Sequence, residues 1–334
     1  MVAGGRKHAW GVVGTGRAAD ALVGPAIAAN GSEVVASVGS SLEKGESYAS
    51  KHGGRAFARF EELLADRAVE IVYIATPNAL HAEQVIDAAA AGKQVFCDKP
   101  LATSVAEAEK AVDACVSAGV ALGINFQTRH HQGMSEIRDA LAAGEIGAPL
   151  IVQCEVSSGR GELRGWRSDP GLAGLGAMNN IGVHAYDMLR FLLGAEIVEA
   201  TVLTDATDDQ PLELAALALF RFDNGTLAYV NANQTTPRFE PDLTIHGTEG
   251  RISGRSVTRP HLEGGEFTIL RGENERRILA STTDAFVRTV AAYEQAIERR
   301  ETPNASGVDG LRSVQLTEAL ARSAREKRTV VIEY

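Results

Sequence analysis

Apolar and polar positions change rhythm partway along the 334-residue chain. The first stretch alternates short apolar runs with helical patterning. Residues 8–14 and 33–39 read as strands, with residues 18–29 a helix between them. Residues 61–65 predict a short helix and 71–75 a buried strand. An Ala-rich helix follows over 80–91, opened by Asn78 as N-cap. Gln94-Val95-Phe96-Cys97, bounded by Gly92 and Pro100, is a further buried strand. Ser104-Val105-Ala106-Glu107 forms a capping box for a helix reaching about residue 117, and 120–126 is strand-like. Strands alternating with helices at this spacing predict an α/β Rossmann domain with a doubly wound parallel sheet.

The helical stretch 134–143 ends at Gly144 and Gly147-Ala148-Pro149, and the pattern then shifts. Residues 150–157, 198–204, 213–222, 226–232 and 243–246 are strand-like, several with period-two alternation, and Asp223-Asn224-Gly225-Thr226 is a hairpin turn. Helices are expected at 285–299 and 310–325, with a last strand at 329–333. This predicts an α+β second domain built on a large, mostly antiparallel sheet, and a division into residues 1–127 and 128–334.

Composition narrows the partners. A 45% hydrophobic and 23% charged chain is that of an ordinary globular protein. Its net charge of −10 argues against nucleic acid or an anionic membrane as partner. No apolar run of about 20 residues predicts a membrane span, nor does a leader-like segment appear. Cys97, Cys115 and Cys154 have no metal-ligand spacing, so no metal is expected and a reduced, cytoplasmic setting is.

Candidate chemistry begins at Gly14-Thr15-Gly16-Arg17-Ala18-Ala19, a G-x-G-x-x-A turn between a strand and a helix. Such a turn offers backbone N–H groups and a helix N-terminus to a dinucleotide pyrophosphate. The second strand ends at Gly39-Ser40-Ser41, with Lys44 one turn later. It has no carboxylate to hold a ribose 2′-hydroxyl, whereas two hydroxyls and a cation suit a 2′-phosphate, so NADP is favoured and NAD remains possible. A helix cap is the plain role of Ser40 or Ser41, and both roles can hold together. Asp98-Lys99-Pro100 places a lysine at the carboxyl end of a strand, where open α/β sheets bind ligands; taken alone it is a solvated turn lysine. His81, in the first turn of its helix, reads as an exposed residue near that site. Along 179–194 a helix puts Asn180, His184 and Asp187 at i, i+4 and i+7, on one face. A satisfied buried His is the plain alternative, and a metal lacks enough ligands there. Trp166 beside Arg167 suits a sugar or a carboxylated ligand, or is a packed Trp with a surface Arg.

Together these features resemble the glucose–fructose oxidoreductase/inositol dehydrogenase family over essentially the whole chain. Asp98-Lys99-Pro100 is similar to the family's Glu-Lys-Pro. The stretch from Gly174 through Gly176, Asn180, Gly182 and His184 to Asp187 resembles its G-G-G-x-x-x-D-x-G-x-H-x-x-D. Gly165-Trp166-Arg167, the run from Ile245 to Gly254, and Asn125 resemble the family's keto-sugar reductases. The resemblance implies a nicotinamide dinucleotide held by Gly14, Thr15, Gly16, Arg17 and Ala18, and by Gly39, Ser40, Ser41 and Lys44. It extends that site along Ala75, Thr76, Pro77, Asn78, Leu80 and His81, and to Asp98, Lys99 and Asn125. It also implies a substrate pocket between the domains, with Lys99 and His184 at the reacting carbon and Gln127, Arg129, Trp166 and Arg167 as further contacts. Two departures stand out: Asn180 replaces the family's Asp, and Gly39 and Lys44 stand where the keto-sugar reductases carry Ser and Arg.

The expected activity is hydride transfer between nicotinamide and a sugar or polyol carbon, in the form of an NADPH-dependent reductase for a keto-sugar of the 1,5-anhydrofructose kind. An NAD-dependent inositol or sugar dehydrogenase and a silent cofactor-binding protein are the alternatives. Asn180 can orient an imidazole but cannot neutralise an imidazolium. Lys99 is therefore the expected principal acid/base, with His184 chiefly orienting and Asp187 beside it. The free face of a broad antiparallel sheet, with family habit, predicts a homodimer or homotetramer.

Overall fold

The structure, a computed structural model, describes residues 6–159, 161–237, 242–258, 265–279 and 284–334. The first five residues of the polar N-terminus lie outside them. The chain clusters into two compact units, Met1–Asn125 with Phe286–Leu311, and Phe126–Ala285 with Arg312–Tyr334. A single division after residue 127 has no place for the returning segment 286–311.

Among the described residues the first unit holds a 6-stranded sheet. Its strands are β1 (Ala9–Val13), β2 (Glu33–Val38), β3 (Arg55–Phe57), β4 (Ile71–Ile74), β5 (Gln94–Cys97) and β6 (Leu122–Ile124). They run in the order β3-β2-β1-β4-β5-β6 with every pairing parallel. The helices between them are α1 (Gly24–Ala29), α2 (Leu42–His52), α3 (Phe60–Ala65), α4 (His81–Ala90) and α5 (Val105–Ala118). The order reverses between β1 and β4, and a doubly wound sheet binds its ligand in the crevice at that point. β4 is buried along its whole length, as a strand covered on both faces must be.

Segment 286–311 belongs here because the core of this unit includes it. Phe286, Val290 and Tyr293 pack with Trp10, Tyr73 and Phe96, each such buried side chain contributing roughly 1.5–3 kcal/mol. Tyr293 also donates to the Val95 carbonyl at 2.7 Å, and Trp10 Nε1 donates to Glu294 Oε1 at 2.9 Å. Gly123 is required beneath that ring, since a Cβ there would stand 2.4 Å from Tyr293.

The second unit opens on a 3₁₀ turn, Gln127–His130, and helix α6 (Gln132–Ala142), and carries a 9-stranded sheet among the described residues. Its strands are β7 (Pro149–Ser157), β8 (Ile197–Thr204), β9 (Ala215–Phe222), β10 (Leu227–Asn233), β11 (Leu243–Gly247), β12 (Gly250–Arg255), β13 (Glu266–Arg271), β14 (Asn274–Leu279) and β15 (Val330–Val331). The order is β14-β13-β12-β11-β7-β10-β9-β8-β15, and β7 with β10 is a parallel pair in an otherwise antiparallel ladder. Strict alternation in β9 sends Ala218, Phe220 and Phe222 into the core with Tyr186, Met188 and Leu192. The expected turn closes β9 onto β10: Gly225 has φ +87° and Asn224 Oδ1 accepts from the Thr226 N–H.

β12, β13 and β14 were not legible. Asn274-Glu-Arg-Arg-Ile-Leu279 is charged at three of its six positions, as suits an edge strand, and so carries little apolar signal. The strand expected over 329–333 pairs only at Val330 and Val331. Asn78 does not stand at the N-cap of α4, which is Leu80. It is buried and opens a 3₁₀ turn, Asn78–Leu80, after which α4 starts at His81. Ser104 does cap α5, accepting from the Glu107 N–H at 3.3 Å. No helix among the described residues is long and apolar enough to cross a membrane.

Candidate active site

In the first unit the carboxyl ends of the strands converge through backbone contacts that exclude side chains. Gly14 follows β1 with φ +87°, and a Cβ there would lie 2.5 Å from the Ala75 carbonyl and 2.6 Å from the Thr76 nitrogen. Only glycine permits both the dihedral and the approach. Gly14 N donates to Val38 O, and Ala75 N to Val13 O, so the tips of β1, β2 and β4 form one row. Gly16 is exposed and a Cβ on it would meet nothing within 4 Å, leaving open space where a pyrophosphate would approach. Arg17 beside it is exposed, and the helix then starts with a π-turn, Ala19–Val23. The glycine cradle fits a dinucleotide, with Thr15 and Ala18 completing the turn.

Past β2, Ser41 caps α2 by accepting from the Lys44 N–H at 3.4 Å, and Lys44 Nζ donates to Ser40 Oγ at 3.0 Å. Cap and cation therefore share one turn, both exposed. Gly39 is held by packing: a Cβ on it would stand 2.6 Å from the Gly45 nitrogen.

At the tip of β5, Asp98 N donates to Ile74 O, and the Asp98 carboxylate accepts from Lys99 N at 3.1 Å and from Asn125 Nδ2 at 3.3 Å. Asp98, Lys99 and Asn125 thus meet, and the Lys99–Pro100 peptide is cis. Thr76 and Pro77 are half-buried and Leu80 is exposed. His81, expected at the surface, is 1% exposed, with Nδ1 2.6 Å from Pro100 O and Nε2 2.9 Å from Thr76 O. Burial pushes its pKa down against the opposing pull of those carbonyls. With both nitrogens engaged on backbone, its ring is not a ligand for a dinucleotide.

In the second unit the histidine segment is not one uniform helix. A π-turn, Met178–Gly182, precedes the α-helix Val183–Leu193, so Asn180 and His184 depart from the i, i+4 spacing of a regular helix. Asn180 Nδ2 donates to Gln234 Oε1 at 2.5 Å, and its Oδ1 accepts from Arg167 Nε at 3.3 Å. The Arg167 guanidinium lies over the Trp166 ring, 4.2 Å from its centroid, so the expected Trp–Arg pairing is present and half-buried. His184 Nδ1 faces Gln127 Nε2 at 3.4 Å. An amide NH2 only donates, so as placed Nδ1 accepts and the neutral ring carries its proton on Nε2.

Asp187 and Arg129 are brought together. Both are buried, and they form a bidentate pair, Arg129 Nε to Asp187 Oδ2 at 2.7 Å and Nη2 to Oδ1 at 2.6 Å. The carboxylate thus anchors its helix to the 3₁₀ turn Gln127–His130. Its partner is 58 residues away, which helical spacing within one segment does not reveal. Glu213 also escaped notice. Its carboxylate accepts from Gly176 N at 3.0 Å and Met178 N at 2.8 Å, capping the start of the histidine segment, while its own carbonyl accepts from Ala177 N. Burial pushes its pKa up despite those N–H groups. Gly176 is obligatory there, since a Cβ would stand 2.0 Å from that carbonyl oxygen. A lone Glu in a loop gives no signal for such a role. Among the described residues, no group of His, Cys, Asp and Glu is placed to hold a metal.

Comparison with known proteins decides the family. Residues 8–126 match the oxidoreductase family with an NAD-binding Rossmann fold, and residues 134–253 match the GFO/IDH/MocA C-terminal domain. The chain is 34% identical over 328 residues to 1,5-anhydro-D-fructose reductase of Ensifer adhaerens, covering 97% of this chain and 98% of that one. This chain belongs to the GFO/IDH/MocA family. It is also 29% identical to D-xylose 1-dehydrogenase (NADP(+)) 2 of Haloferax volcanii, over 97% of this chain and 99% of that one. Among solved structures, aldose-aldose oxidoreductase from Caulobacter crescentus, complexed with glycerol, superposes with a TM-score of 0.90 at 26% identity. That match covers 98% of this chain and 100% of the other. As a GFO/IDH/MocA member the chain is an NAD(P)-dependent oxidoreductase acting on CH–OH/C=O groups.

Proposed function

We infer that this enzyme reduces a keto-sugar of the 1,5-anhydrofructose kind with NADPH. The observation that carries the cofactor choice is the tip of β2, where Lys44 Nζ and Ser40 Oγ stand together. A 2′-phosphate there accepts charge-assisted hydrogen bonds, and Arg17 supplies a second exposed cation. When bound, the nicotinamide supplies the hydride that reduces the carbonyl carbon. The Lys99 ammonium stabilises the developing alkoxide and delivers the proton that completes the hydroxyl. Asp98 and Asn125 fix the backbone from which Lys99 projects. In the second unit His184, with Nδ1 facing Gln127, offers Nε2–H as a donor to a substrate oxygen. Trp166 under Arg167 gives a ring face and a planar donor for sugar hydroxyls.

The test follows absorbance at the nicotinamide band with NADPH and NADH against keto-sugars, aldoses and polyols. Turnover is expected with NADPH on keto-sugars. Turnover confined to NADH with a polyol would sink the reading. In the same assay Lys44→Glu is expected to weaken NADPH binding about tenfold or more and to leave NADH binding within twofold or so.

We also propose a homo-oligomer formed through the open face of the 9-stranded sheet. Ile151, Leu203, Leu217, Leu219 and Leu227 are all exposed on neighbouring strands, with Leu227 opposite Ile151 and Leu217 opposite Leu203. A contiguous apolar patch of this kind calls for a cover, and an isologous pair of identical faces provides one. Leu219→Glu is expected to yield monomers in light scattering after size exclusion. A wild-type chain that is monomeric at micromolar concentration contradicts this.

A further inference from the structure

We propose that His81 is a positioning residue for Lys99, its imidazole donating to the carbonyl of the next residue, Pro100, from a seat beside the Thr76 carbonyl at the tip of β4. This rests on the reading of Lys99 as proton carrier. Both partners are carbonyl oxygens, which only accept, so each contact asks a ring nitrogen to donate: Nδ1 to Pro100 O at 2.6 Å and Nε2 to Thr76 O at 2.9 Å. A neutral imidazole has one N–H and the cation two. Burial and the nearby Lys99 charge disfavour the cation, while the two carbonyls and Asp98 favour it, and the balance falls towards the neutral ring. The shorter contact is the Pro100 one, so Nδ1 is the atom that keeps its proton.

The two contacts do different work. Thr76 belongs to the row of strand tips, with its Oγ1 donating to Gln84 Oε1 at 2.6 Å and its nitrogen against Gly14. The Nε2 edge of the ring is therefore seated against the rigid frame by packing, and its donated hydrogen bond is the one from Nδ1. Pro100 O is one residue beyond Lys99, so the Nδ1 contact sets where the Lys99 backbone stands. On the other side, Lys99 N donates to Asp98 Oδ1 at 3.1 Å. The lysine is thus gripped before and after itself. Misplacing a catalytic group by about 1 Å costs on the order of a hundredfold in rate, so loosening one grip is expected to show in kcat.

Two conservative variants separate the contacts. In His81→Asn the amide nitrogen falls near the place of Nδ1 and keeps the Pro100 contact. In His81→Gln it falls near the place of Nε2 and keeps the Thr76 contact instead. His81→Asn is expected to hold kcat within about threefold of wild type, and His81→Gln to lose about tenfold or more, in both cases with KM for NADPH little changed. Equal losses, or a larger loss in His81→Asn, overturn the proposal. A second readout needs no turnover: reductive methylation of Lys99 with formaldehyde and cyanoborohydride, located by mass spectrometry. Its rate is expected to match wild type in His81→Asn and to change in His81→Gln. If no keto-sugar is reduced, the proposed function fails while this labelling still decides the role of His81. Should either variant not fold, ¹⁵N NMR of the wild-type ring decides: a proton on Nδ1 is expected, and an unprotonated Nδ1 overturns the proposal.

Discussion

Replacing Lys99 by Met is expected to lower kcat by about two to four orders of magnitude, the range typical of a lost general acid. NADPH affinity, read by fluorescence titration, should stay within a few fold. His184→Ala is expected to lose less in kcat and more in substrate KM. The difference follows from surroundings. Lys99 projects from a backbone that Asp98 holds at a strand tip, where the reacting end of a dinucleotide belongs. His184 faces an uncharged amide, Gln127, at Nδ1, and Asn180 in its π-turn bonds through its amide to Gln234 and Arg167. Asp187, three residues along the helix, is paired with Arg129. These bonds suit a neutral imidazole that donates and orients. Steady-state kinetics on both variants checks this, and a much larger kcat loss from His184→Ala would show that the histidine moves the proton.

The largest stability effect is expected at Asp187. Removing one member of a buried pair strands the other charge, at a cost of about 3–5 kcal/mol. The two members are not equivalent. Arg190 Nη1 stands 3.9 Å from Asp187 Oδ1, while its Nε and Nη2 donate to Glu196. Arg129→Ala therefore leaves the carboxylate a nearby cation, whereas Asp187→Ala leaves the Arg129 guanidinium buried without its carboxylate. Asp187→Ala should be the more damaging by chemical denaturation. The double variant Arg129→Met with Asp187→Leu should recover most of the loss, since two apolar groups replace two charges. Equal single-variant losses, or a double variant worse than either single one, would show that the pair is held by something other than its charges.

Local chemistry made part of this site legible. Gly14, the Ser104 cap and the Asn224-Gly225 hairpin each follow from dihedral or hydrogen-bond demands within a few residues. The parallel sheet follows from strands and helices alternating at short spacing, and the Ser40–Lys44 pairing from a single helical turn. What escaped depends on distant partners. His81 looked exposed because its two carbonyls, Thr76 and Pro100, lie on different strand tips. Asp187 looked like a neighbour of His184 because its arginine is far off in sequence. Both π-turns were hidden, since one extra residue per turn leaves no mark on an apolar pattern averaged over several turns.

The contact between Gly39 and Gly45 limits how this enzyme can change its coenzyme over generations. Placing an acid at position 39, the direct step toward NAD, also places a Cβ 2.6 Å from the Gly45 nitrogen. That nitrogen belongs to α2 backbone and cannot swing aside as a flexible side chain would. The mutational path at 39 is closed unless α2 moves first. Drift in coenzyme preference is therefore expected at Ser40, Lys44 and Arg17, whose side chains are exposed, while Ser41 is kept by its cap on α2.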